Sequence, residues 1–290
     1  MVLRPLDVQG PGFENKPMQI TVSTFYKFVP ITDTEALQSS LAGLGCKLGI
    51  KGTILIAREG INATISGTRD AIATFLASLR ADGRLCDLVT KESSATAHPF
   101  RRLKVKVKPE IVTFGHPDID PIANTGAYVR PEDWNALIQD PDVLVIDTRN
   151  TYEYDIGTFQ GAVDPKTQTF RDFSTFVSDE LDPARHRKVA MFCTGGIRCE
   201  KATAYMRAQG FNEVYHLEGG ILKYLEVIPK DQSLWQGECF IFDERVALEH
   251  GVTPGDYGQC RSCGYPVRRS DDTQEIDSIC TKCAAKASAA

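Results

Sequence analysis

The stretch Cys193-Thr194-Gly195-Gly196-Ile197-Arg198-Cys199 follows an apolar run (Val189, Ala190, Met191, Phe192) and leads into Glu200-Lys201-Ala202-Thr203-Ala204-Tyr205-Met206. The run reads as a short buried strand and the sequel as a helix, which makes the quoted residues a strand-to-helix turn. A cysteine at a strand end, two glycines that let the backbone turn inward and a helix start place several backbone N–H groups around one sulfur. Arg198 adds a cation. Together they favour the thiolate, and Cys193 is expected to ionise below the free-thiol pKa of about 8.5. Two readings stay open for Cys199, in the first helical turn. It is either a buried helix cysteine or the partner that resolves an oxidised or persulfidated Cys193 through a disulfide.

A cysteine, four loop residues and an arginine resemble the active-site loop of the rhodanese family, with Thr194, Gly195, Gly196 and Ile197 as the loop proper. Related cysteine phosphatases have one more loop residue and a wider cradle, sized for phosphate. The shorter loop suits a persulfide sulfur or a small sulfur anion. Asp147-Thr148-Arg149-Asn150, Gly161-Ala162 and Leu217 to Ile221 also resemble the rhodanese pattern, which implies supporting roles for Asp147 and Arg149. Thr158 stands where many rhodaneses have a histidine, a departure that bears on the substrate and not on the fold.

With 290 residues, 42% hydrophobic and 24% charged, the chain has room for two or three globular domains. No apolar run approaches the roughly 18 residues of a membrane span, and no basic segment precedes an apolar stretch at the N-terminus. The expected location is therefore cytoplasmic, with no membrane partner. Nine cysteines in a chain of this size point to reduced thiols and metal ligation, not to a disulfide framework. A net charge of −5 excludes an overall basic coat, yet residues 20–115 carry thirteen Lys/Arg against eight Asp/Glu, hence +5.

Residues 1–19, with Pro5, Gly10, Pro11, Gly12 and Pro17, read as an irregular arm. In 20–115 the patterns predict a strand over 21–29, a helix over 34–44 stopped at Gly45, and strands over 52–57 and 61–66. A helix over 68–81 and a closing strand over 100–114 follow, which is the βαββαβ order of a ferredoxin-like domain. In the closing strand Arg102, Lys104, Lys106 and Lys108 share one face and Leu103, Val105 and Val107 the other. Such a cation row can track a phosphate backbone, or it can be a solvated face that resists edge pairing. Ile111 to Pro131, with Gly115, Pro117, Pro121, Asn124, Gly126 and Pro131, marks an extended connection, and residues 116–130 read as a linker. Strands alternating with helices over 131–231 predict a parallel sheet, the rhodanese-like domain. The rest, 232–290, is a cysteine-rich segment. In it Cys260-x2-Cys263, sixteen residues and Cys280-x2-Cys283 match the spacing of a closed, structural four-cysteine zinc site.

Beyond the loop, four stretches resemble the TrhO family of bacterial tRNA uridine hydroxylases: Gly52-Thr53-Ile54-Leu55-Ile56-Ala57-Arg58-Glu59-Gly60-Ile61-Asn62-Ala63-Thr64, Cys193 to Met206, Trp235-Gln236-Gly237-Glu238-Cys239-Phe240-Ile241-Phe242-Asp243, and the paired tail cysteines. The resemblance implies oxygen-dependent conversion of the tRNA wobble uridine to 5-hydroxyuridine. It also implies tRNA as partner, molecular oxygen as co-substrate, and Cys193 as the active, persulfide-forming position. No dinucleotide fingerprint is present, no flavin, haem or nicotinamide motif is seen, and the five histidines are dispersed. One mechanism fits such a chain: the Cys193 sulfur adds to C6 of uracil and makes C5 electron-rich, with Arg198 completing the anion cradle. Two other classes compete, a sulfurtransferase carrying a persulfide on Cys193 and a non-catalytic RNA- or protein-binding scaffold. The sequence specifies neither the reductant nor a sulfur donor.

Overall fold

The computed structural model describes residues 19–269 and 279–288, so the arm expected over 1–19 lies outside the described residues except for Gln19. The N-terminal domain runs β1 (Ile20–Phe28), α1 (Thr34–Lys47), β2 (Lys51–Ala57), β3 (Gly60–Gly67), α2 (Arg69–Arg80), β4 (Thr90–Ala95) and β5 (Leu103–Val107). Its sheet has the order β4-β1-β3-β2-β5. The first four strands pair antiparallel, as a ferredoxin-like fold requires, and β5 adds to β2 in parallel. The α2 helix shows how local signals build this domain. Thr68 caps it by accepting from the Ala71 N–H at 3.2 Å, and Ile72, Phe75, Leu76 and Leu79 bury one face.

Two expectations are corrected here. The strand that completes βαββαβ is β4, whose sequence Thr-Lys-Glu-Ser-Ser-Ala carries no apolar alternation because an edge strand on β1 needs only backbone pairing. The strand expected over 100–114 shrinks to β5, an extra strand at the opposite edge. Likewise α1 runs through Gly45 to Lys47. A Cβ at Gly45 would lie 2.5 Å from Leu103 Cδ2, so this glycine serves the close approach of α1 to β5 and does not stop the helix.

Helices cover one sheet face, burying Phe25, Ile54, Ile56, Ile61, Ala63 and Ile65. The other face carries Thr24, Tyr26, Thr53, Leu55, Asn62 and Thr64, with Lys104 and Lys106 in register beside Thr53 and Leu55. That polar face turns toward the next domain.

The second domain contains α3 (Pro121–Asn124), β6 (Ala127–Val129), α4 (Pro131–Ile138), β7 (Val143–Asp147), α5 (Thr151–Tyr154), β8 (Gly157–Phe159), α6 (Phe173–Glu180), β9 (Lys188–Phe192), α7 (Ile197–Ala208), β10 (Glu213–Leu217) and α8 (Gly220–Val227). The sheet order is β6-β10-β9-β7, all parallel. Central β9 is buried from Val189 to Phe192, as a strand covered on both faces must be, and Cys193 follows at its C-terminal end. β6 comes from the stretch expected as a linker, which thus supplies a sheet edge.

The C-terminal segment adds β11 (Trp235–Gly237), β12 (Cys239–Phe240), β13 (Ala247–Glu249), β14 (Thr253–Pro254), β15 (Tyr257–Gln259), β16 (Pro266–Arg268) and α9 (Thr281–Ser288). β11 pairs with β8, and Trp235 packs edge-on against Phe159 and Phe192. The segment expected from residue 232 therefore begins inside the rhodanese-like core. Among the described residues no helix is long and apolar enough to cross a membrane.

Candidate active site

The loop after β9 is held from three sides. On one side α8 packs backbone to backbone: Ile221 N–H donates to Cys193 O at 3.0 Å and Leu222 N–H to Thr194 O at 3.1 Å. Only glycine fits at Gly220, where φ is +67° and a Cβ would lie 2.5 Å from Cys193 O. Gly196, at φ +102°, ends the loop as the N-cap of α7. Its N–H donates to Cys193 Sγ at 3.1 Å, so the expected nest forms. Burial alone would push the Cys193 thiol up. The hydrogen bond from Cys199, the Arg198 charge and the N–H groups of Cys199 and Arg198 outweigh it and hold the sulfur well below the usual thiol range. Burial pushes Cys199 the other way and the neighbouring thiolate adds to the effect, so the pair shares one proton, kept on Cys199. Thr148 Oγ1 lies 3.6 Å from Cys199 Sγ.

Arg198 does not spend its fork on the sulfur. It makes a bidentate pair with Glu153 of α5, at 2.6 and 2.8 Å, and donates to Thr194 Oγ1 at 3.2 Å. Glu153 has no solvent exposure, and although burial raises its pKa, the Arg198 charge and hydrogen bonds lower it further, leaving it ionised. The guanidinium thus acts on Cys193 through its field, fixed by a carboxylate that sequence reasoning missed. The signal was present as Asn150-x-x-Glu153, a capping box in which Glu153 Oε1 accepts from the Asn150 N–H at 3.1 Å.

Asp147 and Arg149, expected as support, form a second fully buried pair at 2.6 Å. Arg149 also donates to Gly157 O and faces the Trp235 ring, while Thr158 donates to Asp147 at 3.0 Å. The threonine in the place of the usual histidine is therefore tied into this pair.

The third side is the N-terminal sheet. Its polar face and the loop enclose a cavity of about 430 Å³ with Cys193, Arg198 and three loop residues (Thr194, Gly195, Ile197) on one wall and Thr24, Tyr26, Asn62 and Lys91 on the other. Cys193 has no solvent exposure and forms the floor. The C-terminal segment closes the rim with Phe242, 64% exposed and 5.8 Å from the Arg198 guanidinium. Lys201 locks the domains by pairing with Glu59 at 2.8 Å and Glu110 at 2.7 Å. Tyr26 donates to Glu200 at 2.9 Å, a carboxylate that also accepts from Tyr128 at 2.8 Å. Tyr26 and Lys91 carry no sequence signal for the site, and Phe242 shows only as part of the Trp235–Asp243 resemblance, because each meets the loop only through domain packing.

Of the cation row, Arg102, Lys104, Lys106 and Lys108 are all exposed and lie beside the cavity, not in it. The four tail cysteines come together at a separate place. The Sγ atoms of Cys260, Cys263, Cys280 and Cys283 lie within 4.8 Å of one another, with Cys263 and Cys280 at 3.6 Å. Tetrahedral zinc with Zn–S bonds of about 2.3 Å sets its sulfurs about 3.8 Å apart, so these four residues can hold such a metal.

Residues 20–111 match the model of the UPF0176 acylphosphatase-like domain and residues 130–226 that of the rhodanese-like domain. Solved structures resemble part of the chain. One is a rhodanese-like domain from Anabaena sp., 18% identical, covering 39% of this chain and 80% of its own, with a TM-score of 0.33. A rhodanese-related protein from Thermoplasma volcanium is 21% identical over 36% of this chain and 95% of its own, with a TM-score of 0.28. A Rhodopseudomonas palustris protein of unknown function, described as a possible tyrosine phosphatase, is 21% identical over 36% and 82%, with a TM-score of 0.31.

Proposed function

We propose that this chain, a member of the TrhO/UPF0176 family by its domain architecture, is a cytoplasmic tRNA-modifying enzyme that hydroxylates the wobble uridine to 5-hydroxyuridine with molecular oxygen. The observation that carries this reading is the shared cavity, floored by an activated thiolate and walled by the basic N-terminal domain. Its volume of about 430 Å³ suits a single base lifted out of its strand. The cation row supports the same partner. Lys104 and Lys106 extend the sheet face whose Thr53 and Leu55 line the cavity, so phosphates bound along β5 would run past its mouth.

In this reading the Cys193 thiolate adds to C6 of uracil, which makes C5 nucleophilic. C5 then takes one oxygen atom from a donor derived from O2, and loss of the C5 proton with expulsion of the thiolate restores the ring. The second oxygen atom leaves as water, so a reductant from outside the chain supplies two electrons. Arg198, fixed by Glu153, holds the sulfur anionic at the start and at the end.

Nucleoside mass spectrometry of tRNA tests this in cells lacking the protein and free of any parallel hydroxylation route. Loss of 5-hydroxyuridine, restored by wild type and not by Cys193→Ala, is expected. An unchanged profile overturns the reading. The narrow four-residue nest around Cys193 favours sulfur transfer as the second reading. Altered thiolated nucleosides with 5-hydroxyuridine intact would select it.

A further inference from the structure

Both loop glycines are touched by the N-terminal sheet. Lys91 of β4 stands inside the cavity, and its Nζ donates to the Gly195 carbonyl at 2.7 Å. The N–H of that same peptide unit, on Gly196, is the one that donates to Cys193 Sγ. A trans peptide points its C=O and N–H in opposite directions, so the ammonium and the sulfur hold the two ends of one orientation. On its other side the peptide is packed by Gly220 of α8, whose would-be Cβ lies 2.7 Å from Gly196 N and 2.8 Å from Gly195 C, a steric contact that makes no hydrogen bond to it. Gly195 has open space where a side chain would be, and Gly196 sits in the left-handed region. On the flank of Gly196 the Tyr26 hydroxyl lies 2.7 Å from the position of a would-be Cβ, anchored by its bond to Glu200. An ammonium on the carbonyl also polarises the amide and strengthens its N–H as a donor.

We propose that Lys91 is a positioning residue for Cys193: it fixes the Gly195–Gly196 peptide with its N–H on the sulfur, so that the loop of one domain is completed by the sheet of the other. This goes beyond the reaction proposed above and holds whether Cys193 acts on uridine or carries sulfur. The groups that face Cys193 are Arg198 and Cys199 from the loop and α7, Tyr26 from β1 and Lys91 from β4, and Lys91 in turn has Glu200 of α7 and Lys223 and Glu226 of α8 around it. Lys91 also acts on Cys193 through its own charge, so Lys91→Gln, which removes the charge and keeps an N–H donor for the Gly195 carbonyl, separates the peptide contact from that charge.

The test is the pH midpoint of Cys193 ionisation in the full-length protein, read as ultraviolet thiolate absorbance in difference from Cys193→Ser. In Lys91→Met the midpoint should rise by about one pH unit, a roughly tenfold loss of thiolate at fixed pH below it. Lys91→Arg should return it toward wild type, and Lys223→Met should leave it in place. A wild-type midpoint in folded Lys91→Met overturns the proposal, and so does an equal rise in Lys223→Met. If Lys91→Met does not fold, Lys91→Leu takes its place, with the same rise expected and the same overturning result; Lys91→Gln, which keeps a donor, should rise less, and an equal rise in it overturns the proposal as well.

Discussion

Cys193 and Cys260 each follow a strand and each accept a backbone N–H on sulfur, from Gly196 at 3.1 Å and from Cys280 at 3.3 Å. Their surroundings part from there. Around Cys193 stand a guanidinium locked by Glu153, one protonated thiol and a cavity, so the anion keeps one side open. Around Cys260 stand three more sulfurs, which close every side once a metal is held. The first setting leaves the sulfur open to a reactant and the second makes it able to ligate a metal, and the number of soft donors in reach makes the difference.

The strongest way to break this contrast is to remove a tail ligand. Cys280→Ser should abolish bound zinc, measured by elemental analysis, and expose the tail to proteolysis, since structural zinc contributes about 10–16 kcal/mol in small domains. The Cys193 ionisation midpoint should stay where it is; a moved midpoint would mean that the two sites are one.

Next comes Glu153→Ala, which leaves the buried Arg198 charge without its partner. Denaturant unfolding should show a loss of about 3–5 kcal/mol. A loss of less than about 1 kcal/mol would mean that Arg198 is free to turn toward the sulfur.

A smaller effect sharpens the thiolate side. The folded Cys193 pKa lies below the unfolded value, so the unfolded chain binds more protons between the two. Stability from this group is fully present above the unfolded value and is lost as pH falls through the folded one. Wild type should therefore gain up to about 1.4 kcal/mol per pH unit more than Cys193→Ser across that window. Parallel curves for the two proteins would count against a depressed pKa.

The smallest expected effect lies on β5. Lys104→Ala and Lys106→Ala should each weaken tRNA binding and lower the slope of log affinity against log salt by about one. An unchanged slope would return the row to a plain solvated edge.

By itself the sequence determined the Cys193 loop, the four-cysteine cluster that could hold a metal and most elements. The strand, the glycines and the helix start around Cys193, the cysteine spacings of the tail and the capped face of α2 are all written in residues near one another, where rotation about a few bonds decides the outcome. β4 escaped because an edge strand needs no apolar period, and Glu153 was legible only as a helix cap. Tertiary structure alone decided that Tyr26, Lys91 and Phe242 belong to the site. Lys91 is 104 residues from the carbonyl it holds, and Tyr26 is 174 from its carboxylate. Such meetings depend on which whole faces bury against each other, a property of the packed chain that no stretch of neighbouring residues carries.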